Sequence, residues 1–160
     1  MNKLKIDEIP WEEWQSPSGA FRGSFREISI AMGATRDGAP GAGGHPFDLA
    51  LERLPPGYSA SPYHDHAAQW EMFHILAGEG TVRVDGERHA VRPGDTILHR
   101  PGEAHQIVNT GTTDLVYFII ADNPAVDICR YPDSQKLGIF GPATRRTVVA
   151  SDVDYWQSEE

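Results

Sequence analysis

The sequence predicts an all-β fold, a sandwich or barrel of short antiparallel strands. Three observations support this prediction. Several short segments alternate apolar and polar residues, as strands with one buried face do. Sixteen glycines and twelve prolines among 160 residues supply frequent turns. No segment sustains the apolar periodicity of a long helix, so many short strands at regular spacing are expected instead.

The chain begins with a segment of mixed composition. Trp11 and Trp14 stand among Pro, Gly and Ser residues over 1–24, and 32–46 holds five glycines and two prolines. We therefore expect residues 1–46 to form an irregular arm, with a strand and a Gly/Pro-rich loop, that packs its tryptophans on the main domain. That domain is expected over 47–150, and the acidic segment 151–160 is expected to be a tail or a short helix.

Strand patterns follow one another from residue 47 onwards. Asp85-Gly86 suits the two-residue turn of a type I′ hairpin. The segment 113–121 is apolar on both faces, as expected of a strand that is covered on both sides. The predicted strands are 47–54, 71–77, 81–84, 87–91, 96–99, 104–109, 113–121, 126–131, 137–140 and 145–150.

The composition excludes several classes of function. Fourteen basic and 23 acidic residues give a net charge of −9, which disfavours binding to a nucleic acid backbone. No segment is long and apolar enough to span a bilayer, and the N-terminus has no apolar stretch typical of a secretion signal. Cys129 is the only cysteine, so no intrachain disulfide can form. We expect Cys129 to be a small buried side chain and the protein to be cytoplasmic.

Three histidines and one glutamate are placed so that they can share one interior. His64 and His66 point to the same side of an extended chain, Glu71 begins the inward face of the next strand, and His105 shares a face with Asn109. A buried carboxylate without a partner is costly. A divalent cation removes that cost by binding all four groups, so the pattern indicates a metal site.

The spacing of these residues resembles the two motifs of the cupin superfamily. The first runs from Gly57 over six residues to His64-x-His66, then over four to Glu71 and over six to Gly78. The second runs from Gly94 over five residues to Arg100-x-Gly102, then over two to His105 and over three to Asn109. Two departures are visible: the first gap is one residue longer than usual, and Arg100 stands where proline is common.

The resemblance implies a jelly-roll cupin, a small double-stranded antiparallel β-barrel with one copy of each motif. It implies the metal ligands His64, His66, Glu71 and His105. Three nitrogens and one oxygen suit one divalent transition metal ion, Fe, Mn, Ni, Zn or Cu, rather than Ca or Mg. Small cupins usually pair, and the apolar strand Leu115–Ile120 and the tryptophan-bearing arm lead us to expect a homodimer.

The function expected from these features is a metal-dependent enzyme that acts on a small polar organic molecule. Oxygen insertion at iron and isomerisation of a sugar or sugar phosphate at a Lewis-acidic metal both fit. Glu71 and His99 are the candidate catalytic residues, and Gln69 and Trp70 are the candidate substrate-binding residues near the mouth of the pocket. A module that binds or senses a small ligand without turnover, or a structural barrel protein, stays open as an alternative.

Overall fold

The computed structural model describes residues 3–36, 38, 40, 42–142, 144–154 and 156–157, and its regular structure is almost entirely β. One short α-helix, α1 (Ile28–Ala31), and one 3₁₀ turn (Ile6–Glu8) are the helical elements of this part of the chain. No helix among the described residues is long and apolar enough to cross a membrane. The strands are β1 (Glu12–Gln15), β2 (Arg22–Glu27), β3 (Phe47–Leu54), β4 (Asp65–His66), β5 (Glu71–Ala77), β6 (Gly80–Val84), β7 (Glu87–Val91), β8 (Thr96–His99), β9 (His105–Val108), β10 (Leu115–Asp122), β11 (Asp127–Tyr131), β12 (Lys136–Gly141) and β13 (Thr144–Val149).

One layer of the fold is a six-stranded antiparallel sheet. Its strand order is β1-β2-β3-β10-β5-β8, so strands distant in sequence lie side by side. β10 is central and pairs with β3 on one edge and with β5 on the other. This sheet carries Glu71 at the start of β5, directly opposite His99 in β8.

The second layer combines a three-stranded sheet, β7-β6-β9, and a four-stranded sheet, β13-β12-β11-β4. An antiparallel bridge between His64 and His105 joins them: each residue donates its backbone N–H to the other's carbonyl, at 3.1 and 2.7 Å. The core lies between the layers. It consists of Leu54, Phe73, Ile75, Val82, Val91, Ile107, Leu115 and Tyr117. The predicted all-β antiparallel jelly roll is confirmed.

The N-terminal arm is more regular than predicted. β1 and β2 form a hairpin that extends the six-stranded sheet next to β3. Trp11 lies beneath two guanidinium groups, those of Arg26 and Arg53, 4.5 and 4.4 Å from the ring. The tryptophan therefore contacts both the hairpin and β3. A strand was expected in the arm, but the bounds of β1 and β2 were not, because their stability comes from pairing with each other and with β3 rather than from an alternating pattern of their own.

β10 does not offer a free edge for a second copy of the chain. Both of its edges are hydrogen-bonded within the sheet, so a second copy cannot pair with an edge of this strand. One face of the strand is buried in the core, whereas the other face, with Val116, Phe118 and Ile120, is only half-buried. The homodimer itself stays a prediction.

Two turns show why particular residues stand where they do. Asp85 and Gly86 both have positive φ, 45° and 90°, as the predicted type I′ turn between β6 and β7 requires. Gly78 follows β5 with φ +76°, and a Cβ at this position would lie 2.3 Å from the carbonyl oxygen of Asp114. Glycine is therefore required at the end of the strand that begins with Glu71.

Candidate metal centre

The four residues expected to bind a metal form one buried cluster. His64 lies on the bridge to β9, His66 lies in β4, Glu71 begins β5 and His105 begins β9. The two layers thus bring together side chains from both motifs. His105 Nε2 is 2.8 Å from Glu71 Oε2, and His66 Nε2 is 3.8 Å from Glu71 Oε1.

His64 is the centre of this cluster. Its ring centroid is 5.0 Å from that of His66 and 4.7 Å from that of His105, whereas the rings of His66 and His105 are 6.3 Å apart. The donor atoms of His64, Glu71 and His105 lie within 4.8 Å of one another. The donor atoms of His64, His66 and Cys129 do so as well. Two donor triads therefore share His64, and either could hold a metal ion.

Hydrogen bonds behind the rings orient the imidazoles toward the cluster. Nδ1 of His64 donates to the carbonyl of Pro62 (2.8 Å), and Nδ1 of His66 lies 2.6 Å from Oδ2 of Asp127. Nε2 of each ring therefore keeps its lone pair available to coordinate a cation. Nε2 of His66 is buried and has no hydrogen-bond partner among the described residues. An orphaned buried nitrogen beside a carboxylate fits a metal site.

The charges in the cluster also fit a cation. Burial alone would raise the pKa of Glu71, but the hydrogen bond from His105 and the nearby imidazoles lower it to about 2. Burial would lower the pKa of His105, yet its contact with Glu71 outweighs this and raises it. Both ring nitrogens of His105 face acceptors, Glu71 and the carbonyl of Glu103. The proton of His105 thus occupies the place that a metal ion would take.

His64 differs from His105 in its protonation. Burial lowers the pKa of His64 to about 4, and the charge of Glu71 offsets this only in part. His64 is therefore neutral near pH 7, which is the form that binds metals.

His99 lies behind the cluster. Its ring stacks on that of His105, with centroids 4.0 Å apart and planes 8° apart, and its Nδ1 is 3.0 Å from Glu103 Oε1. Burial lowers the pKa of His99 to about 4. His99 does not belong to the residues that line the cavity, so its position favours packing against His105 over the catalytic role considered for it.

A cavity of about 1070 Å³ opens beside the cluster. His64, His66 and Glu71 are on its wall. Of the two expected substrate-binding residues, Gln69 reaches the wall, although its Nε2 donates to the carbonyl of Asp122 (2.7 Å). Trp70 is 42% exposed and is not part of the wall.

Sequence reasoning missed four further residues of this region. Asp127 holds His66, Cys129 belongs to the second donor triad, and Tyr131 stacks on His64 at 6.2 Å. Asp127 and Cys129 lie two residues apart in β11, which places both next to β4, but no motif marks this strand. Burial, which outweighs a hydrogen bond with Tyr131, raises the pKa of Cys129 to about 11.

The fourth missed residue is Glu52, on the cavity wall in β3. Its Oε2 is enclosed and has no hydrogen-bond partner among the described residues. Burial, with the charges of Glu27 and Glu71, raises the pKa of Glu52 to about 8. A carboxyl group that titrates near neutral pH can carry a proton for a reaction in the cavity. No signal in the sequence marked it, because Glu52 falls among the polar residues of the alternating pattern in β3.

Comparison with known proteins agrees with the fold. Residues 50–121 match the Cupin_2 family, described as a cupin domain. A sugar phosphate isomerase from Silicibacter pomeroyi superimposes with a TM-score of 0.76 at 21% identity, covering 96% of this chain and 97% of that one. At this identity the likeness concerns the fold alone.

Similarity to Thermotoga maritima is found both among solved structures and among curated sequences. The structure of a predicted oxalate decarboxylase has a TM-score of 0.60 at 27% identity, covering 76% of this chain and 99% of that one. The oxalate-binding protein is 38% identical over 72 residues, which are 45% of this chain and 59% of that protein. The chain spans about half the length of the curated relatives it matches.

Proposed function

Because residues 50–121 are a cupin domain, we propose that this protein binds one divalent transition metal ion and uses it to act on a small polar organic molecule. The proposed ligands are His64, His66, Glu71 and His105. The observation that carries the proposal is that the donor atoms of His64, Glu71 and His105 lie within 4.8 Å of one another, with Nε2 of His66 3.8 Å from Glu71 Oε1 and without a hydrogen-bond partner among the described residues. Imidazole and carboxylate donors suit Fe, Mn, Ni, Zn or Cu.

The cavity supports a polar substrate. Its wall combines carboxyl groups, Glu27 and Glu52, with the guanidinium groups of Arg36 and Arg145. Such a lining offers hydrogen bonds to hydroxyl, carbonyl or anionic groups, and Ile30, Ile119 and Phe140 on the same wall add apolar contacts. A small polyhydroxylated or carboxylated molecule would fit these groups.

Of the two chemistries expected from the sequence, we favour isomerisation. A bound metal would supply Lewis-acid polarisation of a carbonyl or hydroxyl oxygen. Glu71 is held as a carboxylate by His105 and is committed to the cluster. Glu52, on the same wall and with a pKa of about 8, is better suited than Glu71 or His99 to accept and return a proton. The likeness to a sugar phosphate isomerase supports this choice as an analogy of fold.

Binding without turnover is the second candidate. The relative named oxalate-binding protein, 38% identical over 72 residues, supports it. In this case the metal and the guanidinium groups of the cavity would capture a small carboxylate, and no proton transfer at Glu52 would be needed.

The first experiment is metal analysis of protein purified without chelator. We expect about one metal ion per chain in the parent and little in the double variant His64→Ala/His66→Ala. His89→Ala is the matched control, since His89 is exposed and lies outside the cluster. Equal metal in the parent and the double variant would contradict the proposed ligands.

Activity then separates the candidates. The metal-loaded protein is assayed for isomerisation of aldose and ketose sugars and their phosphates, and for oxygen uptake with catechols, thiols and keto acids. Isomerisation that is lost in Glu52→Gln supports the favoured chemistry, and oxygen uptake supports the alternative enzyme. A tight thermal shift with oxalate and no turnover would support the binding protein.

The homodimer belongs to the same proposal and is independent of the metal. Leu76 and Leu98 are 41% and 51% exposed, and they lie on the outer face of the six-stranded sheet. A second copy would cover them. Sedimentation should give twice the chain mass of 17.7 kDa, and a monomer at micromolar concentration would contradict this expectation.

A further inference from the structure

Cys129 lies against two of the proposed metal ligands, His64 and His66, and belongs to a different donor triad from Glu71 and His105. It is 2% exposed and is the β-ladder partner of His66 across β4 and β11. Its sulfur lies within 4.8 Å of the donor atoms of both His64 and His66. The cluster therefore contains two donor triads that share His64. One triad includes the sulfur of Cys129, and the other includes a carboxylate oxygen of Glu71.

The hydrogen bonds of the two histidines leave their Nε2 atoms available to a cation, and the sulfur would exchange its hydrogen bond with Tyr131 for the metal. The Nδ1 atoms of His64 and His66 are engaged by Pro62 and Asp127, which directs both Nε2 atoms into the cluster. In a tetrahedral site, donors about 2.1 and 2.3 Å from the metal lie roughly 3.5 Å apart. Donors now within 4.8 Å need to close by about 1 Å, a movement within the reach of side-chain rotation.

We propose that Cys129 is a sulfur ligand of this centre when a thiophilic cation such as Cd(II), Co(II) or Zn(II) occupies it, together with His64 and His66. As the metal–sulfur bond forms, the thiol proton leaves to solvent, so the sulfur binds as thiolate. Mn(II), which prefers oxygen and nitrogen donors, binds through the proposed ligands His64, His66, Glu71 and His105 without the sulfur. This inference rests on the proposed function, because it needs a metal at the shared histidine.

The test uses the unaltered, chelator-treated and reduced protein. Because Cys129 is the only cysteine of the sequence, any thiolate-to-metal charge-transfer absorption must come from it. Titration with Cd(II) or Co(II) should produce this near-ultraviolet band and saturate at one equivalent. Mn(II) should also bind, as measured by electron paramagnetic resonance, and its binding should not displace the thiol proton.

Variants then identify the partners of the sulfur. Cys129→Ser preserves size and should abolish the band and weaken Cd(II) binding by about tenfold or more, with Mn(II) affinity changed less than about twofold. His66→Ala should also lose the band, whereas His89→Ala should keep it. Circular dichroism confirms that each variant is folded, and the titration of the unaltered protein does not depend on any variant.

The outcomes separate the two proposals. Stoichiometric Cd(II) or Co(II) binding without a charge-transfer band overturns the role of Cys129 and leaves the metal centre standing. Absence of binding by Cd(II), Co(II) and Mn(II) alike overturns both. A band that persists in His66→Ala would also overturn the proposed ligand set.

Discussion

Replacing Glu52 by glutamine should make the metal-free protein more stable at high pH. The carboxyl group of Glu52 lies in the cavity wall with Oε2 enclosed, and the carboxylates of Glu27 and Glu71 are nearby. Burial and these charges raise its pKa from an ordinary 4.5 to about 8. Ionisation is therefore easier in the unfolded chain than in the native protein.

The sign and size of the effect follow from linkage. Because the folded pKa is raised, the contribution of Glu52 to stability is fully present below about pH 4.5 and is lost as the pH rises to about 8. Each pH unit in this window removes about 1.4 kcal/mol. Between about pH 5 and pH 8 the parent should therefore lose on the order of 3 kcal/mol of unfolding free energy through this residue. Glutamine keeps the shape of the side chain and does not ionise.

Urea unfolding at several pH values measures this directly. The difference in unfolding free energy between Glu52→Gln and the parent should grow with pH, and other titrating groups, including His64 and His99, cancel in this difference. Glu87→Gln, at an exposed hairpin position, is the control and should give a constant difference. Parallel curves for the parent and Glu52→Gln would refute the reasoning, because they would show that Glu52 is solvated or paired.

Three further predictions concern the metal centre and its scaffold. Asp127→Asn should weaken metal binding by about tenfold to a hundredfold, because an amide is a weaker acceptor than the carboxylate that orients His66. Isothermal titration calorimetry measures the affinity, and an unchanged value would contradict this prediction. Metal affinity should fall as the pH is lowered through neutrality, since the raised pKa of His105 means that a proton competes with the cation there. A metal affinity that stays constant from about pH 8 to pH 6 would count against His105 as a ligand. Gly78→Ala should cost about 3 kcal/mol or more of unfolding free energy, because positive φ and a backbone clash act together. The control Gly86→Ala has positive φ but open space around it and should cost only about 1–2 kcal/mol. Equal costs of the two variants in thermal or urea unfolding would contradict the clash at Gly78.

Much of the fold could be predicted because local patterns and turn residues agree with it. The bounds of β3, β5 and β8 match the predicted segments residue for residue. The hairpin at Asp85-Gly86 was predictable because only a few residues tolerate positive φ. β1, β2 and the two-residue β4 were not, since they are strands only by virtue of the neighbours to which they pair.

The candidate site divides in the same way. The spacing of His64, His66, Glu71 and His105 is a pattern that a sequence displays, and the structure brings these residues together. Glu52 was missed because alternation in β3 does not tell which face is inside. The structure shows which face is inside, because Glu52 pairs across the sheet with Tyr117, which is buried in the core.

The bridge between the backbones of His64 and His105 has a consequence for the timing of metal loading. Forty residues separate the two histidines in the chain, and Asp127, which holds His66, follows only later. A nascent chain emerging from the ribosome would display His64, His66 and Glu71 together, well before His105 and Asp127 arrive. The full set of proposed ligands would therefore exist only after both halves of the domain have closed on each other.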